Sequence, residues 1–184
     1  MKLTLLLLAA ALSPTLSYAP SKSPTDLLNF GNDQCVVASG EPCSINDFDS
    51  APGKSTVVAP GGETRCIFSY SGDYKFQTWP GSNEKLMIYF QGGGACWDRI
   101  STVPLSLCTT SCSSQMNTGL FDKTDERNPY KDYTIVHIMY CSGDAHAGIS
   151  TRDYNDLKGE PVVQVGAKNV QVREREALRK GCKG

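Results

Sequence analysis

Leu86 to Gln91, read LMIYFQ and followed at once by three glycines, restricts the fold of this chain more than any other stretch. An apolar run with branched and aromatic members, cut short by glycine, reads as a buried strand rather than a helix. Gly92-Gly93-Gly94 then forms a loop whose backbone N–H groups no side chain shields. Such a loop can bring donors within reach of a small anionic atom. A plain tight turn is the competing reading, since glycine marks turns generally. A phosphate loop is a weaker rival, because neither G-x-x-x-x-G-K-[ST] nor G-x-G-x-x-G occurs.

A second apolar strand is expected over Tyr133–Tyr140. The connection from Gly92 to Lys131 is long, with one short helix around Gln115–Phe121 that Asn128-Pro129 stops. Two buried strands joined this way argue for parallel pairing, with helices covering both faces. Upstream, Arg65–Tyr70 and Tyr74–Trp79 flank Ser71-Gly72-Asp73 and read as a hairpin. Pro80-Gly81-Ser82-Asn83 turns the chain into the central strand. Asn32–Thr64 is rich in Gly, Pro, Ser and Asp and reads as a loop. Ser23–Phe30 can hold a short helix ended by Gly31. Val162–Lys180 is helix-compatible, but after Val172 its only apolar residues are Ala177 and Leu178, too few for a sheet-covering stripe.

At 184 residues and 40% hydrophobic content the chain supports one ordinary core, and a net charge of −1 points to neither nucleic acid nor an anionic membrane as partner. Residues 1–19 read as an export signal: Lys2, an apolar Leu3–Leu12, and small residues at Ser17-Tyr18-Ala19. Pro20 disfavours cutting directly after Ala19. The run is too short to span a bilayer, so the mature protein is expected to be secreted and free of the membrane. Eight cysteines (35, 43, 66, 96, 108, 112, 141 and 182) in an exported chain imply disulfides of undetermined connectivity. Zinc is the rival, but there is no C-x-x-C and the only histidines are His137 and His146. No Asn-x-Ser/Thr sequon is present.

Phe90-Gln-Gly-Gly-Gly-Ala-Cys-Trp-Asp98, Asn128-Pro-Tyr-Lys-Asp-Tyr133 and Tyr140-Cys-Ser-Gly-Asp-Ala-His-Ala-Gly148 together resemble the pectin acetylesterase/Notum family of secreted carboxylesterases. The resemblance runs from about Arg65 to about Gly148. It implies an α/β fold, the N-terminal part of a mixed, mainly parallel α/β-hydrolase-like sheet stabilised by disulfides. It also implies serine-dependent deacetylation of an acetylated cell-wall polysaccharide such as pectin, without cofactor or metal, in the extracellular space. Residues 20–64 then form a loop-rich N-terminal segment and 65–184 a partial hydrolase domain that ends before the nucleophile. The polar end of the Val162–Lys180 segment departs from what the family implies there.

Ester hydrolysis on this fold needs a serine on a strand-to-helix elbow, a His–Asp pair and an oxyanion hole. The elbow signature G-x-S-x-G is absent from the 184 residues. By resemblance, the N–H groups of Gly93 and Gly94 are the oxyanion donors, Gly92 shapes the turn, and Trp97, Asp98 and Asp144 line the pocket. Trp97 contacts a sugar or packs in the core; the two readings weigh equally. Ser142, Asp144 and His146 resemble a triad only in composition, since members of a triad come from distant segments. Asp144 is expected instead to accept from nearby N–H groups, as in an Asx-turn. His137 reads as a core residue, and Cys141 as a disulfide partner rather than a nucleophile. With no triad, the chain as it stands is expected to lack turnover, and the alternative function is a secreted carbohydrate-binding protein that catalyses nothing.

Overall fold

The computed structural model describes residues 33–36 and 48–171. The expected export signal, the 23–30 helix, Cys43, Cys182 and the chain after 171 lie outside the described residues. Among these described residues seven strands form two sheets. β1 (Asp33–Val36), β2 (Thr56–Ala59), β3 (Phe76–Trp79), β4 (Ser82–Phe90) and β5 (Tyr133–Ile138) make a five-stranded sheet in the order β1-β2-β3-β5-β4. β6 (Ser150–Asn155) and β7 (Pro161–Gln164) pair as a separate antiparallel ribbon.

The large sheet is evenly mixed rather than mainly parallel. β1 with β2 and β4 with β5 run parallel, while β2–β3 and β3–β5 are antiparallel. The long connection does join a parallel pair, with Met87 opposite Ile135 and Tyr89 opposite His137. Among the described residues helices do not cover both faces. Among the described residues α1 (Arg99–Thr102) has four residues, a 3-10 turn spans Gly119–Phe121, and residues 166–171 begin a further helix. None is long and apolar enough to cross a membrane.

Four further expectations are corrected. Residues 65–70 form no strand, and β3 pairs with β2 and β5 instead of closing a hairpin over Ser71-Gly72-Asp73. The segment 32–64 contains β1 and β2, whose four residues in β2 are all buried. Residues 161–164 extend as β7 because Val162 and Gln164 both point inward, a period of two rather than a helical stripe. Finally, β4 is not central but lies at the sheet edge. Its alternation sends Met87 and Tyr89 toward Trp79, Phe121 and Ile135, while Leu86, Ile88 and Phe90 stay about half exposed at 52%, 51% and 49%.

Polar side chains hold the long connection where helices would otherwise do so. Gln77, fully buried in β3, donates from Nε2 to Ser55 Oγ (2.8 Å) and Gln115 O (3.1 Å), and its Oε1 accepts from Gln115 N–H (2.7 Å). Trp79 Nε1 donates to Asn117 Oδ1 at 2.7 Å, and Asn128 Nδ2 bridges Leu120 O and Asp122 O. The buried backbone of a helix-poor loop is thereby partnered. The Cys96–Cys108 disulfide closes its first turn and Cys66–Cys141 ties the segment before β3 to the end of β5. Cys112, on the same connection, is a free thiol.

The ribbon is anchored by Asp156, whose carboxylate accepts from Ser69 N–H and Oγ and from the N–H groups of Lys158 and Glu160. Burial pushes this carboxyl upward, but the hydrogen bonds from Ser69, Glu160 and Lys158 outweigh it and leave its pKa lowered. A carboxyl with a lowered folded pKa stabilises the fold above its unfolded value and loses that contribution as pH falls through the folded one. Asp156→Asn is therefore expected to unfold at lower urea than the parent at about pH 7, with the difference shrinking toward about pH 3. A gap of the same size at both pH values would assign the effect to shape rather than charge.

Candidate functional site

β4 delivers Gln91 and the three glycines beside the end of β5, and the chain after β5 folds back over them. Gln91 N–H donates to Ile138 O at 3.0 Å, and Gln91 Oε1 accepts from Tyr140 N–H at 3.0 Å. Gly93 O accepts from Thr109 N–H at 2.6 Å, and Gly94 O from the Tyr140 hydroxyl at 2.8 Å. His146 Nε2 lies 2.9 Å from Gln91 O, its ring against Tyr140 and Phe90. The carbonyls of Gln91, Gly93 and Gly94 are thus anchored. Among the described residues the N–H groups of Gly92, Gly93 and Gly94 donate no hydrogen bond. Gly92 and Gly94 are exposed and Gly93 is half-buried.

Tyr140 is the hinge of this arrangement. It is buried, and its hydroxyl also accepts from Ala145 N–H at 2.9 Å. Burial raises its pKa, the Ala145 N–H lowers it and the Asp144 carboxylate raises it again, so the phenol keeps the proton it donates to Gly94 O. Ala145 and His146 both sit at positive φ, 54° and 64°. Strain of this kind persists only where surrounding contacts impose it. Here Asp144 does so: Oδ1 accepts from Ser142 Oγ (2.6 Å) and His146 N–H (3.1 Å), and Oδ2 from Gly166 N–H (2.7 Å).

Ser142, Asp144 and His146 are brought together, but not as a triad. The serine hydroxyl spends its proton on Asp144, and the imidazole faces a backbone carbonyl rather than the serine. Cys141 is closed in its disulfide with Cys66. His137 is buried among the rings of Trp79, Tyr89 and Phe121.

Trp97 is 60% exposed, which rules out core packing for its ring. Asp98 caps α1. Its Oδ1 accepts from Ser101 N–H at 2.7 Å while Ser101 Oγ accepts from Asp98 N–H at 3.0 Å, a reciprocal capping box. The Ser101 N–H and hydroxyl hold the Asp98 carboxyl below its ordinary pKa. A groove of ≈ 670 Å³ lies at the opposite end of β4, lined by Gly81, Lys85, Lys123 and Lys131 among others. Its Lys123 Nζ is already spent on Pro80 O and Tyr133 O.

Sequence reasoning passed over Gln164, which is buried and donates from Nε2 to Cys96 O (2.6 Å) and Gly143 O (3.0 Å). It clamps the loop after β4 to the loop after β5. Thr109, whose N–H holds Gly93 O, was equally silent; a threonine in a Ser/Thr-rich stretch carries no mark of its partner. Tyr140 lay inside the third motif, where its neighbours drew the attention. A scan of the chain against models of protein families finds no match, and a search of curated proteins finds none either.

Proposed function

We propose that this chain carries the oxyanion-binding part of a secreted carboxylic ester hydrolase of the pectin acetylesterase kind, directed at acetylated cell-wall polysaccharide. One observation supports the reading above others: the glycine loop has the Gly93 and Gly94 carbonyls fixed and its N–H groups undonated. An oxyanion hole requires such donors in place before charge develops. Counted from β2, the loop also follows the third strand and precedes a helix, the position from which α/β-hydrolases draw one oxyanion donor. In this reading the loop polarises the acetyl carbonyl, and the fold is the N-terminal part of a hydrolase sheet. In this reading Ser142 is not the attacking serine, and with no G-x-S-x-G elbow in the sequence the loop is expected to bind the ester rather than support its turnover.

A second reading, a carbohydrate-binding protein that catalyses nothing, is favoured by the exposure of Trp97, since an open indole offers a platform to a sugar ring. Amide NMR separates the two. Adding acetylated oligogalacturonide is expected to shift the Gly93 and Gly94 amide resonances, and the deacetylated oligomer to leave them in place. Shifts confined to Trp97 with both oligomers would favour the binding protein. No shift at either place would overturn both. A fluorophosphonate is expected to leave no covalent label, and a labelled serine would contradict the absence of a nucleophile.

A further inference from the structure

Three sulfurs meet beneath the end of β5. The free thiol of Cys112 lies 3.5 Å from Cys141 Sγ and 3.8 Å from Cys66 Sγ, against a disulfide formed by those two residues. Tyr74 packs on the same cluster, and the Lys75 N–H points at Cys112 Sγ from 3.3 Å. We propose that Cys66, Cys112 and Cys141 form a thiol–disulfide exchange site, in which Cys112 displaces Cys66 from Cys141.

The step balances within the protein. Cys112 gives its proton to water, its sulfur lone pair forms a bond to Cys141 Sγ, and the pair of the old bond leaves on Cys66 Sγ, which takes a proton. One disulfide and one thiol stand on each side, so no outside oxidant or reductant enters. Exchange proceeds through the thiolate and an in-line approach to one sulfur. In the resting fold the two sulfur distances are nearly equal, which places Cys112 beside the bond rather than at its end. Burial also pushes the thiol up to about 11, with the Lys75 N–H and charge working the other way. The groups facing it are the Lys75 ammonium and the Tyr74 phenol. The site is therefore held shut until a local opening turns and ionises Cys112.

Exchange would move a tether. Cys141 immediately precedes Ser142–Asp144, the loop that braces the glycine turn. In the resting bridge it is tied to the segment before β3; in the exchanged bridge it is tied to the connection that carries Thr109, three residues before Cys112. The two states fasten the site loops to different parts of the chain.

Disulfide mapping tests this on the full chain. Samples held at about pH 7 and about pH 10 are quenched in acid, unfolded, alkylated and mapped by mass. The thiolate fraction rises about tenfold per pH unit below the pKa, so transfer of label from Cys112 to Cys66 should accelerate about 1,000-fold between them. The expected product is a Cys112–Cys141 disulfide, absent from Cys112→Ser. The proposal fails if Cys112 alone of the three carries label at both pH values. It fails equally on a Cys66–Cys112 product, on Cys66 labelling that persists in Cys112→Ser, or on Cys96 and Cys108 taking label alongside, which would mark general scrambling.

Discussion

Replacing Cys66 and Cys141 together by alanine is expected to lower the unfolding free energy by about 4 kcal/mol. The bridge closes a separation of 75 residues, and in the chain-entropy account that restriction of the unfolded state sets the loss. Packing adds to it, because both cysteines are fully buried against Tyr74. The same segment is a junction: Ile67 N–H donates to Cys141 O at 2.9 Å, and Ile67 O accepts from Val163 N–H at 3.1 Å. Losing the bridge therefore loosens the end of β5 and the ribbon together. Both residues must be replaced, since Cys66→Ala alone leaves Cys141 within reach of Cys112. The comparison is Cys96→Ala with Cys108→Ala, which opens a separation of 12 residues and should cost about 3 kcal/mol. Urea unfolding of the two double variants checks the order. A larger loss from the shorter loop would show that local packing, not chain entropy, governs both.

The parts of the fold legible in the sequence are those where composition and punctuation agree. Leu86–Phe90 and Tyr133–Ile138 are apolar runs with clear stops, and the length between them selects parallel pairing. Cysteine count, read with the expected export signal, pointed to disulfides, without their partners. What stayed hidden depends on three-dimensional neighbours. An apolar strand reads alike whether one face or both are covered, so the edge position of β4 left no trace. Cys66-Ile67-Phe68 looks like a strand because it is apolar, yet it is buried by disulfide and loop contacts rather than by pairing. β2 is four residues set in Gly- and Pro-rich chain, and β6 reads Ser-Thr-Arg-Asp-Tyr-Asn, polar enough to pass for a loop. At the site, Asp144 was legible as a turn former from its local spacing. Its third partner, Gly166 N–H, lies 22 residues away and was not.

Gly94→Ala is the second large effect, and it probes the glycine loop directly. Gly94 holds φ at +75°, a conformation that costs an L-residue about 1–2 kcal/mol. A Cβ there would also collide with Leu107 O and press on Cys108 Cα at 3.3 Å. Neither neighbour can yield, because Thr109 N–H is bonded to Gly93 O and Cys108 is bridged to Cys96. Overpacking against a fixed backbone adds about 1–3 kcal/mol. The expected total is a loss of about 2–5 kcal/mol, read as a fall in the urea midpoint. Gly93→Ala meets side chains instead, Thr109 Oγ1 and Tyr140 Cδ1 at 2.5 Å, and because Tyr140 is buried and held through its hydroxyl by Gly94 O and Ala145 N–H, this variant should be destabilising too. Gly92→Ala meets nothing within 4 Å and should be nearly neutral. This ranking separates two reasons for a glycine. At 94 the backbone path demands it; at 93 the crowding comes from side chains; at 92 neither the path nor a neighbour bars a Cβ. If Gly92→Ala proved as damaging to stability as Gly94→Ala, Gly92 would be shaping the turn, as the resemblance implies, rather than tolerating a side chain.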